Sequence, residues 1–165
     1  SVIWGPEDEF ANTFARLALI TPLLYPIIGD GQARFQPVWV EDVVTCLVHS
    51  LTDGSTERQS YELGGPEVLT MEEMERRALA GVGARRLLVR VPLPLIRIAV
   101  WAMQTLLPAP PVTTSLVELL AVDNVCRSND LPRFVKAVSP FTSENAAPYM
   151  RQFSAMGTLR GLLGR

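Results

Sequence analysis

An α/β fold, rich in helices and with short strands, is what the 165-residue sequence predicts, on three observations. Apolar residues recur at helical spacing in several segments, among them Phe10, Phe14, Leu17 and Ala18, and again Val43, Val44, Leu47, Val48 and Leu51. Between such segments lie apolar runs of a few residues closed by Gly, Pro or Asp, the pattern of short strands. Thr70 and Glu73 stand three apart before a helical run, as do Ser115 and Glu118, the spacing at which a hydroxyl and a carboxylate close a helix N-terminus together.

The elements follow in chain order. Val2-Ile3-Trp4 is strand-like and is broken by Gly5-Pro6; Glu7, Asp8 and Glu9 then complement the positive end of a helix dipole, and Pro22 stops that helix. Ile27-Ile28 and the stretch Phe35 to Val40 read as extended segments on either side of a Gly29-Asp30-Gly31 turn, the second made irregular by Pro37. Glu41-Asp42 opens a helix that ends at Asp53-Gly54. Tyr61-Glu62-Leu63 reads as a brief strand before Gly64-Gly65-Pro66, and the Thr70 helix runs to Ala80 and is closed by Gly81 and Gly83. Arg86 to Val91 reads as a strand. Pro92 and Pro94 then lead into an apolar helix of about fourteen residues around Trp101, short of the roughly 20 needed to cross a bilayer. Burial is the expected fate of that helix, with docking on a surface as the alternative. After the Pro108 to Pro111 connector comes the Ser115 helix, then a turn at Asn129-Asp130-Leu131-Pro132, a short helix over 143–153, and a glycine-punctuated tail expected to fray.

Composition excludes several classes. With 48% hydrophobic and 19% charged residues the chain is neither disordered nor fibrous. A net charge of −2, with the bases scattered along the sequence, offers no footprint for DNA, RNA or anionic lipid. Cys46 and Cys126 are too few for a disulfide framework and lack zinc-site spacing, so a reducing compartment is the default. The chain opens at Ser1 in mid-strand with no polar lead-in, which raises the expectation of a polypeptide that continues upstream.

Residue patterns alone assemble no active site and no metal site. Gly29-Asp30-Gly31 and Gly81-Val82-Gly83 imitate a phosphate-cradling loop, but both lack the third glycine, and the second follows a helix where a strand is needed. A Tyr and Lys four apart could work as a proton-transfer pair. Lys136, the only lysine, has Pro132 at that position, and Tyr25, Tyr61 and Tyr149 are followed there by Gly29, Gly65 and Phe153. Cys46 and His49 share a helix, where a small apolar cysteine and a boundary histidine suffice to explain them.

The succession Ser1-Val2-Ile3-Trp4-Gly5-Pro6-Glu7-Asp8, Asn12-x-Phe14-Ala15, Gly29-Asp30-Gly31, Gln36-Pro37-Val38-x-Val40-x-Asp42-Val43 and Leu63-Gly64-Gly65-Pro66-Glu67 resembles the C-terminal half of atypical extended short-chain dehydrogenases/reductases, the NAD-dependent epimerase/dehydratase-like proteins. Among these it is most similar to the NAD(P)-binding accessory subunit of respiratory complex I and its bacterial relatives. The resemblance implies that residues 1–165 are the C-terminal, substrate-side portion of an NAD(P)-binding domain of extended Rossmann type, whose N-terminal half, with its glycine fingerprint, is absent from this chain.

On that resemblance Ser1, Val2 and Ile3 would line the nicotinamide end of an NAD or NADP site, because ligands bind outside the carboxyl ends of the strands in open α/β sheets. Phe35, Gln36, Pro37 and Val38 would flank the substrate, and Asp42 would cap the next helix. Phe35 stands where sugar-nucleotide epimerases carry an arginine, with Arg34 one place earlier, which argues against a nucleotide-sugar substrate. The implied function is nucleotide binding with a structural or redox role. The alternatives are an NAD(P)-dependent oxidoreductase or epimerase/dehydratase acting on a small or isoprenoid-type substrate, and a nucleotide-free interaction module. A dinucleotide is the implied ligand and a respiratory complex or membrane-associated protein the implied partner. The implied location is the cytoplasm or the membrane periphery, in a eukaryote the mitochondrial matrix.

Overall fold

A computed structural model describes residues 1–110 and 112–163. The order of elements is β1 (Ile3–Trp4), α1 (Ala11–Ile20), β2 (Leu24–Ile28), β3 (Arg34–Phe35), β4 (Val38–Trp39), α2 (Val40–Thr52), β5 (Leu69–Thr70), α3 (Met71–Val82), β6 (Leu87–Val91), α4 (Leu93–Leu106), α5 (Thr114–Leu120), α6 (Leu131–Phe134), α7 (Ser143–Met150) and α8 (Ala155–Leu162), with one turn of 3-10 helix at Gly54–Thr56. The chain is α/β and helix-rich, and its strands are short. They form three two-stranded sheets: β1 with β4 and β2 with β6, both parallel, and β3 with β5, antiparallel.

The stretch from Phe35 to Val40 divides because Pro37 has no N–H to give to a ladder. Phe35 ends in one sheet and Val38 begins another. Its neighbours were not legible locally. The brief strand expected at Tyr61-Glu62-Leu63 does not form: that segment is held instead by Glu62 N–H to the Asp130 carboxylate (2.9 Å) and by Asp130 N–H to the Glu62 carbonyl (2.8 Å). Leu69–Thr70 pairs with β3 in its place.

The main core joins Trp4, Phe14, Tyr25, Phe35, Met71, Met74, Phe141 and Met150, on which α1, α3 and α7 converge. Each such side chain contributes about 1.5–3 kcal/mol through removal from water. The Thr70–Glu73 capping box forms with both bonds present, and Gly83 closes α3 in the left-handed conformation. The second box does not form. Thr113, two residues earlier than expected, accepts from Leu116 N–H, so Ser115 lies inside α5.

Asp42 is also not a cap. It sits in the first turn of α2, buried, and its Oδ2 accepts from the Ser139 N–H at 3.0 Å, which ties α2 to the loop before α7. Asp42→Ala is expected to destabilise the chain by about 1–3 kcal/mol, because the Ser139 amide is left without its acceptor. A urea midpoint equal to that of the wild type would show that the tie carries no stability.

Two expectations about helix faces are corrected. In α2 the apolar stripe points outward: Leu47, Val48 and Leu51 are 60%, 57% and 84% exposed, while Asp42 and Cys46 face the interior. In α4, Ile96 and Val100 pack against Val112 and Val117, but Leu95, Ile98, Trp101 and Leu106 are exposed. The tail expected to fray is a helix from Ala155 through Leu162, capped by the Ser154 hydroxyl on Gly157 N–H and packed on α1. Of the residues expected in that tail and in the proline connector, Gly164 and Pro111 lie outside the described residues.

Candidate functional site

Parallel pairing of β1 with β4 brings the two sets of residues singled out above side by side. Ile3 lies opposite Val38, Val38 N–H donates to the Val2 carbonyl (2.9 Å), and Gln36 N–H donates to the Ser1 hydroxyl (2.9 Å). Ser1 is a cross-brace: its nitrogen donates to the Leu63 carbonyl (2.8 Å) and its hydroxyl to the Asn124 carbonyl (2.5 Å). The motifs that carry the resemblance meet at the same place. Gln36 Nε2 donates to the Gly65 carbonyl (2.9 Å), Gly65 N–H donates to the Gln36 carbonyl (3.1 Å), and Asn129 Nδ2 holds the Gly64 carbonyl (2.8 Å).

The side chains of these residues point in different directions. Phe35 is fully buried in the main core, Pro37 is buried, and Val38 packs with Cys46 and Leu131. The Gln36 amide is committed to Gly65 and, through Oε1, to Cys126 N–H. Val2 and Ile3 instead line a groove of about 1560 Å³ that runs from the end of β1 past the starts of α1, α2 and α5 to α8. Its lining combines the apolar Ile3, Phe10, Leu116 and Phe153 with the acids Glu7, Asp8, Glu9 and Glu41 and one cation, Arg16.

Local sequence explains this shape. Gly5-Pro6 turns the chain out of β1, and Asp8 holds the turn by accepting from Gly5 N–H (3.0 Å) and Asn12 N–H (3.2 Å). Of the three acids expected to complement the α1 dipole, Asp8 alone bonds to the first turn. Burial raises the Asp8 carboxyl above its ordinary pKa, against the opposing pull of these backbone bonds. Arg16, the cation of the groove lining, lies 4.9 Å from the centre of the Phe153 ring.

The Gly29-Asp30-Gly31 turn is no anion cradle. Gly29 N–H donates to the Val91 carbonyl, Gly31 N–H to Ile28, and Gln32 N–H to the Asp30 side chain, so these amides are occupied. Arg34 is held by two bonds to Asp123 Oδ2 (2.9 and 2.7 Å), which keep that carboxyl below the usual range. Cys46 is buried, and the acidic neighbour Asp42 adds to burial in pushing its thiol up. Among the described residues there is no group of three His, Cys, Asp or Glu able to hold a metal ion.

Sequence reasoning did not find Arg16, Glu41 or the α5 and α8 walls of the groove. One local signal for α8 was present: Ser154 stands three before Gly157, a capping arrangement in front of the apolar Met156, Leu159 and Leu162.

No family model matches the chain. Over 71 residues it is 42% identical to NADH dehydrogenase (ubiquinone) 1 alpha subcomplex subunit 9, mitochondrial, of Arabidopsis thaliana, which covers 42% of this chain and 17% of that protein. A match of the same length, at 38% identity, covers 42% of the chain and 18% of a protein of Oryza sativa subsp. japonica named Cyclin-B1-2. The matched segment thus spans less than a fifth of either curated relative.

Proposed function

We propose that this chain is the C-terminal, substrate-side portion of a longer NAD(P)-binding protein of the extended short-chain dehydrogenase/reductase type, similar to a complex I accessory subunit, in which the nucleotide has a structural or redox role. The observation that carries the reading is the groove at the end of β1. A lining of apolar side chains in which four acids outnumber one arginine suits a flat ring that is neutral or cationic, as nicotinamide is in its two redox states, better than a pyrophosphate. The phosphates must then be held by a loop elsewhere, which agrees with the commitment of the Gly29, Gly31 and Gln32 amides to the protein itself.

The similarity to a subunit named for NADH dehydrogenase supports the same class. In this reading the exposed Leu47, Val48 and Leu51 face of α2 packs on the N-terminal Rossmann half, and the whole works beside a respiratory complex, in the mitochondrion or at a membrane periphery. No helix among the described residues is long and apolar enough to cross a membrane. The stretch Phe35 to Val38 acts on the substrate side by fixing β4 and the entry to α2, since its side chains are spent in packing.

The reading is tested by Ile3→Asp in the longer polypeptide. A further carboxylate in the apolar part of the lining is expected to weaken binding of the uncharged nicotinamide of NADH about ten-fold, which is about 1.4 kcal/mol. Unchanged affinity in calorimetry would remove the nicotinamide end from this groove.

A further inference from the structure

We infer that the outer face of α4 seats the protein on the surface of an anionic lipid bilayer, with the helix lying in the membrane plane. Successive residues turn by about 100° around a helix, so Ile96 and Val100 form one stripe and Leu95, Ile98 and Ala102 the opposite one. The first stripe packs on Val112 and Val117. The second, extended by Trp101 and Leu106, is left in water, with Ile98 63%, Trp101 66% and Leu106 80% exposed. A helix held along one side by its own protein can meet a bilayer only lengthwise. Its 14 residues could not span one in any case.

Charge selects the occupant. From Arg76 to Val117 the sequence holds six arginines and no acidic residue; Arg76, Arg77 and Arg90 pair with Glu72 and Glu67, which leaves Arg85, Arg86 and Arg97 as the cations with no carboxylate closer than 3.9 Å among the described residues. The only charged residue of α4 is Arg97, on the flank of the exposed stripe, and its nearest carboxylate, Glu118, is 3.9 Å away with both side chains more than half exposed. Arg85 forms no ion pair among the described residues. Apolar side chains with a tryptophan among them and an arginine, Arg97, on their flank are a combination that enters the headgroup region of anionic bilayers. The exposed face of α2 lacks it, since α2 carries Glu41 and Asp42 and no arginine.

The test is co-sedimentation of the 165-residue chain with phosphatidylcholine vesicles, with and without phosphatidylglycerol. No nucleotide is involved, so the outcome is independent of the function proposed above. The expected result is binding to the anionic vesicles, weakened by salt, with a blue shift of tryptophan emission that Trp101→Phe abolishes. Ile98→Asp should lower vesicle affinity about ten-fold or more, and Arg97→Glu should lower it on anionic vesicles, while circular dichroism and the unfolding midpoint stay unchanged because both side chains are exposed. Absence of vesicle binding, or equal binding by a folded Ile98→Asp variant, overturns the inference. So does a chain that ignores vesicles and sediments as a dimer which Ile98→Asp dissociates, a result that gives the face to a second copy.

Discussion

Glu75→Gln is expected to remove most of the pH dependence of stability between about pH 5 and pH 8. Glu75 lies on the inner side of α3, 1% exposed, and its Oε2 has no hydrogen-bond partner. Burial first, and then the nearby Glu72 carboxylate, raise its pKa from 4.5 to about 9. Arg76 and Arg90 keep Glu72 ionised, so that repulsion persists at neutral pH. The folded chain therefore holds a proton that the unfolded chain releases above pH 4.5. The Glu75 contribution to stability is greatest below that pH and falls by about 1.4 kcal/mol per pH unit as pH rises toward the folded-state value, levelling off beyond it. Glutamine keeps the shape without the charge. Urea midpoints of the two proteins should diverge as pH rises, with the variant the more stable at pH 8; parallel curves would mean that the buried acid does not stay protonated.

Gly65→Ala is expected to be among the most damaging single substitutions in the chain. A Cβ at Gly65 would stand 1.8 Å from the Pro37 carbonyl oxygen and 2.8 Å from its carbon, and both are backbone atoms that cannot swing aside. That close approach is what lets Gln36 and Gly65 exchange their hydrogen bonds. Relief of the clash must separate the Gly-Gly turn from the strand entry, at about 4 kcal/mol or more. Gly54 supplies the control. An added Cβ there meets nothing within 4 Å, so Gly54→Ala should stay within about 0.5 kcal/mol of the wild type. Thermal unfolding of the two variants separates them, and equal midpoints would refute the clamp.

The helices were legible where the signal is local. The Thr70 hydroxyl and the Glu73 carboxylate cap α3 through neighbours three residues away, and the spacing of Phe10, Phe14 and Ala18 marks the inner face of α1. Pairing of the two-residue strands was not legible, because so short a strand carries no periodicity. Their partners, such as Ile3 with Val38 or Phe35 with Leu69, are set by contacts across long stretches of chain.

The α2 stripe shows a different limit. Periodicity reveals that Val44, Leu47, Val48 and Leu51 share a side, but not whether that side meets this chain's core. Asp42 won the inner position through its bond to Ser139, almost a hundred residues away. The groove was only half visible for the same reason. Val2 and Ile3 came from the resemblance, whereas the walls are supplied by segments near residues 113–119 and 152–162 that no local pattern links to them.

The central claim is that this chain supplies the nicotinamide side of a dinucleotide site whose phosphate-binding part lies elsewhere in a longer polypeptide. Calorimetric titration of NADH and NADPH into the 165-residue chain, and into the same chain joined to its upstream coding segment, tests it most directly. The predicted result is no measurable heat of binding with the chain alone and saturable binding of one of the two nucleotides by the joined protein. Tight binding by the chain alone, or none by a folded joined protein that carries a glycine fingerprint, would contradict it.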